Sequence, residues 1–215
     1  MNHSTTKLTK IGSQSLMGQL DPSTDLANLP ASFVVLEQSG LVDLLRQKNG
    51  FYAFEGALHV LPSLPTTGSY GLVEWNSGNL WRASYRNLAE GCFFFAEDVF
   101  GGQFCLYDGV VMSFDPETGC KDYVAVDVNG WASRILEDYE SMTGYTLAHA
   151  WQARHGSIPI GQRLVPKTPF VLGGDFAVEN LYPLEAAAAM RTRANIAMQI
   201  ADLPDGSNIE LKVVE

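Results

Sequence analysis

Acidic side chains are concentrated in the middle of this sequence, where they could do one of three kinds of chemistry. Between Glu90 and Glu140 lie eleven carboxylates but only two basic residues, Lys121 and Arg134. This excess of nine negative charges is close to the net charge of the whole chain, which is -10. Carboxylates grouped in this way could form a paired acid and base, ligate calcium, or present a negative surface to a basic partner.

The spacing of these residues argues against the first two uses. Glu97 and Asp98 are adjacent residues just after a predicted strand, and in an extended chain adjacent side chains point to opposite faces, so the two cannot share one substrate atom. Asp115, Glu117 and Asp122 lack the spacing of an EF-hand calcium loop. The remaining use is partner binding, although acidic residues are also common in turns and on solvent faces for structural reasons. The candidate partner-binding residues are Glu97, Asp98, Asp108, Asp115, Glu117 and Asp122.

Histidines, serines and cysteines form no recognisable catalytic or metal-binding motif. The four histidines are His3, His59, His149 and His155, and none is four residues from another or beside a cysteine pair, so a zinc site is not indicated. The chain lacks a Gly-x-Ser-x-Gly elbow, and no glycine-rich loop has the spacing of a nucleotide-binding motif. We therefore expect no catalytic residue, no metal and no cofactor.

The overall composition narrows the class of protein and of partner. Of the 215 residues, 46% are hydrophobic, which is enough to bury a sizeable core. A pI near 4.8 argues against direct nucleic-acid binding, because the phosphate backbone would be repelled. Prolines interrupt the longest uncharged stretch, and the first twenty residues hold no long apolar run, so neither a membrane span nor a signal peptide is predicted. We expect a cytoplasmic protein without disulfides and with a basic protein partner.

Short apolar segments separated by turn residues predict an antiparallel meander over residues 91–128. Asp108-Gly109 is typical of a type I′ hairpin turn, and the Asp-Pro-Glu-Thr-Gly run at 115–119 favours a second turn. The side chains of Phe93-Phe94-Phe95 cannot all face one way, so the sheet needs a second buried face or a partner. The predicted strands are Cys92–Phe95, Gln103–Tyr107, Val110–Phe114 and Tyr123–Val128.

Helical patterns flank this meander in the sequence. Trp131, Ile135, Tyr139 and Met142 form one apolar stripe that ends at Gly144. Other predicted helical segments are 30–48, 80–88, 145–155 and 183–201, and residues 209–214 alternate like a terminal strand.

These elements predict an α+β fold with a central, mostly antiparallel sheet packed by helices. We expect residues 1–28 to form a flexible leader, because they are polar and rich in Ser, Thr and Gln. Residues 29–215 should form a single domain, in which 157–215 is a C-terminal helix-strand extension packed on the rest.

The order of these segments resembles a known family. A helix and a Trp-containing segment precede Phe93-Phe94-Phe95-Ala96-Glu97-Asp98, which leads through Gly101-Gly102 to the two turns and then to the Trp131 helix. This order is similar to the SUKH superfamily, the Smi–Knr-type domain, over residues 33–142. Its distinctive part spans residues 93–119, and the region after Tyr145 exceeds what a minimal domain of this type needs.

The resemblance implies an α+β fold and a function without catalysis. Many bacterial members of this superfamily are regarded as immunity proteins that bind and neutralise a cognate toxin in competition systems, whereas fungal relatives act in cell-wall regulation and signalling. No catalytic residue is carried over. An acidic antitoxin of this kind suits a basic toxin such as a nuclease, because carboxylates imitate the charge of phosphate.

Two other functions stay open on the sequence. One is a small-molecule-binding or hydrolytic enzyme whose site lies between the sheet and the C-terminal extension and uses a carboxylate with His149 or His155. The other is a scaffold or regulatory module that binds several proteins of its own cell. An enzyme needs a deep pocket where a histidine and an acid converge, whereas a binding protein needs exposed charge.

Overall fold

A six-stranded antiparallel sheet forms the centre of the protein, whose computed structural model describes residues 3–26, 29 and 33–204. The strands of this sheet follow one another in chain order, so the predicted meander is confirmed. Asp108 and Gly109 both have positive φ, at 47° and 80°, as a type I′ turn requires. The strands are β1 (Phe51–Ala53), β2 (Leu58–Val60), β3 (Phe93–Asp98), β4 (Gln103–Tyr107), β5 (Val110–Phe114) and β6 (Lys121–Ala125), while β7 (Gln162–Pro166) and β8 (Leu181–Glu185) form a separate antiparallel pair.

Helices pack on this sheet and account for the rest of the regular structure. Short π and 3₁₀ turns occur at 78–82, 86–89, 170–172 and 178–180. In the part of the chain that the structure describes, the helices are α1 (His3–Ile11), α2 (Pro22–Asp25), α3 (Phe33–Gln38), α4 (Leu41–Gln47), α5 (Leu72–Trp75), α6 (Ala83–Tyr85), α7 (Val128–Glu137), α8 (Tyr139–Thr143), α9 (Tyr145–His155) and α10 (Ala186–Ile200).

Strand boundaries differ from the predictions in two strands, β3 and β6, at both ends of each. β3 continues to Asp98, whereas β6 ends at Ala125, because Asp127 instead caps helix α7 and accepts a hydrogen bond from the Gly130 backbone N–H at 2.7 Å. β1 and β2 were not predicted as strands, since each has only three residues.

Both faces of the sheet are covered, which accounts for the three consecutive phenylalanines of β3. Phe94 packs against Trp81, with 5.0 Å between ring centroids, whereas Phe95 packs against Trp131 at 5.1 Å. The register shifts between Phe94 and Ala96, which marks a β-bulge. The predicted second buried face is therefore provided by the protein's own helix α7.

Much of the segment predicted as a flexible leader is folded onto the domain. The Asn129 side-chain oxygen accepts a hydrogen bond from the Ser4 backbone N–H at 3.1 Å, and the Leu8 side chain is fully buried. Lys48 Nζ donates to the Ser13 carbonyl at 2.7 Å. The expectation for residues 3–26 is corrected accordingly, because a polar composition did not reveal that Leu8 belongs to the core.

The C-terminal extension packs on the sheet through β7, β8 and α10. Helix α10 begins at Ala186 rather than at Pro183, because Pro183 lies in β8 and the Glu185 carboxylate caps the first turn of the helix. The strand predicted at 209–214 lies outside the described residues. Among the helices that are described, none has the length and apolar character needed to cross a membrane.

Candidate functional site

A cavity of about 440 Å³ lies at one end of the sheet, between the strands and the C-terminal extension. Its charged side chains are three carboxylates, from Asp98, Asp115 and Glu117, and one guanidinium, from Arg193. We call this site the acidic cavity. Its aromatic lining consists of Phe100, Phe104, Phe114, Phe170 and Phe176.

Strand direction brings the three carboxylates together. In a meander, the β3–β4 turn and the β5–β6 turn lie at the same end, with Asp98 beside the first and Asp115 and Glu117 in the second. Asp108 lies in the β4–β5 turn at the opposite end, roughly 15 Å away along a strand of this length. Asp122 is exposed on the edge strand β6 and does not line the cavity.

Glu117 has one carboxylate oxygen held in place and the other without a partner. Its side chain is buried, with 4% of the residue's surface exposed. Oε2 accepts a hydrogen bond from the Val171 backbone N–H at 2.8 Å, whereas Oε1 has no hydrogen-bond partner among the described residues. Desolvation raises the pKa of Glu117. A buried acceptor without a donor is costly, so a donor that reached this enclosed oxygen would be favoured.

Asp98 and Arg193 both line the acidic cavity. Asp98 Oδ1 accepts hydrogen bonds from the backbone N–H groups of Phe100 and Gly102, both at 2.8 Å. Burial nevertheless raises the pKa of Asp98 to about 7. The buried Arg193 donates to the Phe100 carbonyl and, through Nε, to the Ala189 carbonyl at 3.0 Å. The Arg193 guanidinium is thus anchored to the backbone.

Aromatic rings from the extension complete the cavity. Phe170 and Phe176 are stacked, with 4.0 Å between centroids and 4° between planes, and Phe100 meets Phe170 edge to face at 5.6 Å. Phe176 is 67% exposed, although most large apolar side chains of this protein are buried. An exposed ring beside a buried carboxylate, that of Glu117, is an arrangement that can bind an organic cation.

A second polar site is a buried hydrogen-bonded chain of Ser69, His59 and Glu97. Ser69 Oγ lies 3.0 Å from His59 Nε2, and His59 Nδ1 lies 2.9 Å from Glu97 Oε1. Arg163 of β7 also reaches this carboxylate, with Nη2 2.8 Å from Oε1. Since all four residues are buried, the chain ties strands β2 and β3 to the C-terminal extension.

The protonation states of Glu97 and His59 in this hydrogen-bonded series follow from their surroundings. Desolvation would raise the pKa of Glu97, but the Arg163 charge and the His59 hydrogen bond outweigh it and hold the pKa at about 2. Burial lowers the pKa of His59. A neutral His59 next to an ionised Glu97 must donate from Nδ1, which leaves Nε2 to accept from the Ser69 hydroxyl. This is the order of groups in a serine hydrolase triad.

Three of the residues considered in the sequence are placed where they cannot act as expected. Glu97 is buried and paired with Arg163, so it does not belong to an exposed acidic face, which corrects that assignment. His149 is exposed and pairs with Glu55 at 2.8 Å, and His155 bonds to a carbonyl of its own helix. Neither histidine lines the acidic cavity.

The sequence did not reveal four residues of the two polar sites, which are Ser69, His59, Arg163 and Arg193. His59 carried a signal, since it is a single polar residue between Leu58 and Val60. Without a prediction of β2, however, its pairing with Glu97 could not be inferred. In the described ranges, no three residues among the histidines, cysteines and carboxylates are arranged to hold a metal ion.

Comparison with known proteins supports the fold only. No family model matches the chain, and no match was found among curated proteins. Among solved structures, the chain is similar to the crystal structure of Atu4351 from Agrobacterium tumefaciens, with a TM-score of 0.56 and 15% sequence identity. The similarity covers 88% of this chain and 87% of that one. At this identity it shows a shared α+β fold and nothing about activity.

Proposed function

We propose that this chain is a non-enzymatic cytoplasmic binding protein of the SUKH type, an immunity protein that neutralises a cognate basic toxin in a bacterial competition system. The observation that carries the proposal is the acidic cavity, where three carboxylates meet one guanidinium at one end of the sheet. The net charge of -10 gives the whole molecule the same sign. A basic toxin would be attracted at long range and would then contact this end.

A nuclease is the class of toxin that this charge pattern fits best. Nucleases hold phosphate groups with lysine and arginine side chains, and a carboxylate placed on those side chains competes with the phosphate. Asp115 and Asp122 are exposed near the cavity end of the sheet and would add to the attraction. Asp108, at the opposite end, would act only at long range. Inhibition of this kind requires no bond chemistry.

Co-expression with the product of the neighbouring gene tests this function. That product alone should arrest growth, and this chain should restore growth and co-purify with it. The double variant Asp115→Asn/Glu117→Gln should weaken the complex, whereas Asp108→Asn, which removes one charge at the far end, should leave it nearly unchanged. A neighbouring product that is neither toxic nor bound would show that the proposal is wrong.

The Ser69–His59–Glu97 chain supports a second candidate, a hydrolytic enzyme whose site lies beside the C-terminal extension. A cavity of about 390 Å³ is lined by Ser69 and by Gly161 and Gln162 of the extension. Two features weigh against this candidate. His59 is buried and does not line that cavity. Arg163 neutralises the Glu97 carboxylate, so Glu97 stabilises a charged His59 imidazole less than a free carboxylate would.

A fluorophosphonate probe distinguishes the two candidates. An activated serine would be labelled, and Ser69→Ala would abolish the labelling, whereas a binding protein stays unlabelled. Labelling at Ser69, together with ester hydrolysis lost in His59→Gln, would replace the proposed function by the hydrolytic one.

A further inference from the structure

We infer that the acidic cavity binds the guanidinium group of an arginine side chain presented by the protein partner, with Glu117 Oε1 as its principal acceptor. The part of this inference that assigns the arginine to a protein partner rests on the proposed binding function. The chemistry of the cavity rests on its own residues, which can be tested without the partner.

The first argument is the open oxygen of Glu117. This carboxylate is buried and positioned by the Val171 backbone N–H, and Oε1 has no hydrogen-bond donor from the described part of the protein. Because Oε1 is enclosed, a ligand reaches it only when the side chains around it move apart. A hydrogen bond from a charged donor to a fixed carboxylate is among the stronger polar contacts in proteins. A ligand that supplies such a donor completes a bond that the free protein lacks.

The second argument is the balance of charge. Even when Asp98, whose pKa is about 7, holds its proton, the carboxylates of Asp115 and Glu117 outnumber the single guanidinium of Arg193. Arg193 is buried and already donates to the carbonyls of Phe100 and Ala189. The cavity therefore favours a cation over an anion.

The third argument is the aromatic wall, which selects among cations. The Phe170 and Phe176 rings are parallel, and Phe176 presents much of its surface to solvent. A planar guanidinium can stack on such a face while its parallel N–H groups bond a carboxylate. A lysine ammonium is more strongly hydrated and lacks the planar fork, so arginine is the better fit.

Titration with Nα-acetyl-arginine amide, followed by NMR of the isotope-labelled protein, tests this inference. We expect millimolar affinity, with shifts at the backbone N–H groups of Phe100, Gly102 and Val171. Nα-acetyl-citrulline amide, which has the same shape without the charge, should bind about tenfold more weakly, a difference of about 1.4 kcal/mol. Equal binding of the two amides, shifts located outside the cavity, or no saturable shift at tens of millimolar would overturn the inference.

Three variants locate the site. Glu117→Gln should weaken arginine amide binding about fivefold to tenfold, since the neutral side chain can still accept from Val171 but loses the charge. Phe176→Ala should weaken it about twofold to fivefold, and the exposed position of this ring keeps the fold intact. Asp108→Asn, at the other end of the sheet, should leave the affinity unchanged. An unchanged affinity in both cavity variants would contradict the proposed site.

The partner complex separates this inference from the proposed function. If the toxin binds the wild type and Glu117→Gln equally well, the inference is wrong while the immunity function stands. If no toxin binds the wild type, the function is wrong, and the arginine amide titration still decides the chemistry of the cavity. If Glu117→Gln loses toxin affinity by about the same factor as it loses arginine amide affinity, the result supports both the immunity function and the arginine site.

Discussion

His59 of β2 and Glu97 of β3 lie directly opposite each other in the sheet, and the imidazole Nδ1 is 2.9 Å from the carboxylate Oε1. Arg163, from the strand pair of the C-terminal extension, contacts the same oxygen at 2.8 Å. The pairing of two neighbouring strands therefore creates a buried negative charge, and the extension supplies its counter-charge. Through this contact, the C-terminal extension contributes to the stability of the domain.

Replacing Glu97 should destabilise the protein strongly. Glu97→Gln leaves the buried guanidinium of Arg163 without its counter-charge, which costs about 3 kcal/mol in comparable buried pairs. Urea unfolding followed by circular dichroism measures this loss. The control is Glu55→Gln, which breaks an exposed carboxylate–histidine pair of similar length and should cost less than about 1 kcal/mol. Equal losses in the two variants would mean that burial adds nothing to the Glu97 pair.

Glu97 should also make the protein sensitive to acid. Its pKa of about 2 is lower than the ordinary value of 4.5, so the folded protein binds this proton less readily than the unfolded chain. The stability that it contributes is complete above about pH 4.5 and is lost as the pH falls towards 2. The free energy of unfolding of Glu97→Gln, measured over this range, should fall less steeply with acid than that of the wild type. If the two proteins lose stability with acid at the same rate, the low pKa does not belong to Glu97.

Asp98 should have the opposite effect on pH dependence. Its pKa is raised to about 7 from an ordinary 3.8, so the folded protein holds a proton that the unfolded chain has released. The free energy of unfolding should therefore decrease as the pH rises from about 4 to about 7. Asp98→Asn keeps an acceptor for the N–H groups of Phe100 and Gly102 and should remove this slope. A slope that persists in the variant would assign it to another group.

Local chemistry made the central strands predictable from the sequence. β4 and β5 have the predicted boundaries because each is bounded by turn residues, such as Asp108-Gly109, that define a hairpin without help from distant contacts. β1 and β2 carry a weaker signal. They are short, and the turn between them has one turn-favouring residue, Gly56, while Phe54 and Glu55, which also have positive φ, are residue types that do not indicate a turn.

The acidic cavity was only partly predictable, for a related reason. The order of strands and turns is enough to bring Asp98, Asp115 and Glu117 to one end of the sheet. The burial of Glu117 depends on Val171, which lies 54 residues further along the chain. In the same way, Arg163 turns Glu97 from a candidate surface charge into a buried ion pair. Tertiary contacts of this kind leave no trace in local spacing.

If the chain binds a basic toxin as proposed, the end of the sheet that carries the acidic cavity should control the rate of association with that partner. Asp115→Lys and Asp122→Lys reverse exposed charges near this end, so they should slow association about tenfold at low salt and weaken its dependence on ionic strength, because long-range attraction is lost. Stopped-flow fluorescence at several salt concentrations measures both quantities. Asp108→Lys makes the same change of charge at the opposite end and should slow association much less. If it slows association as strongly as the other two, the net charge of the chain, and not the cavity end, steers the encounter.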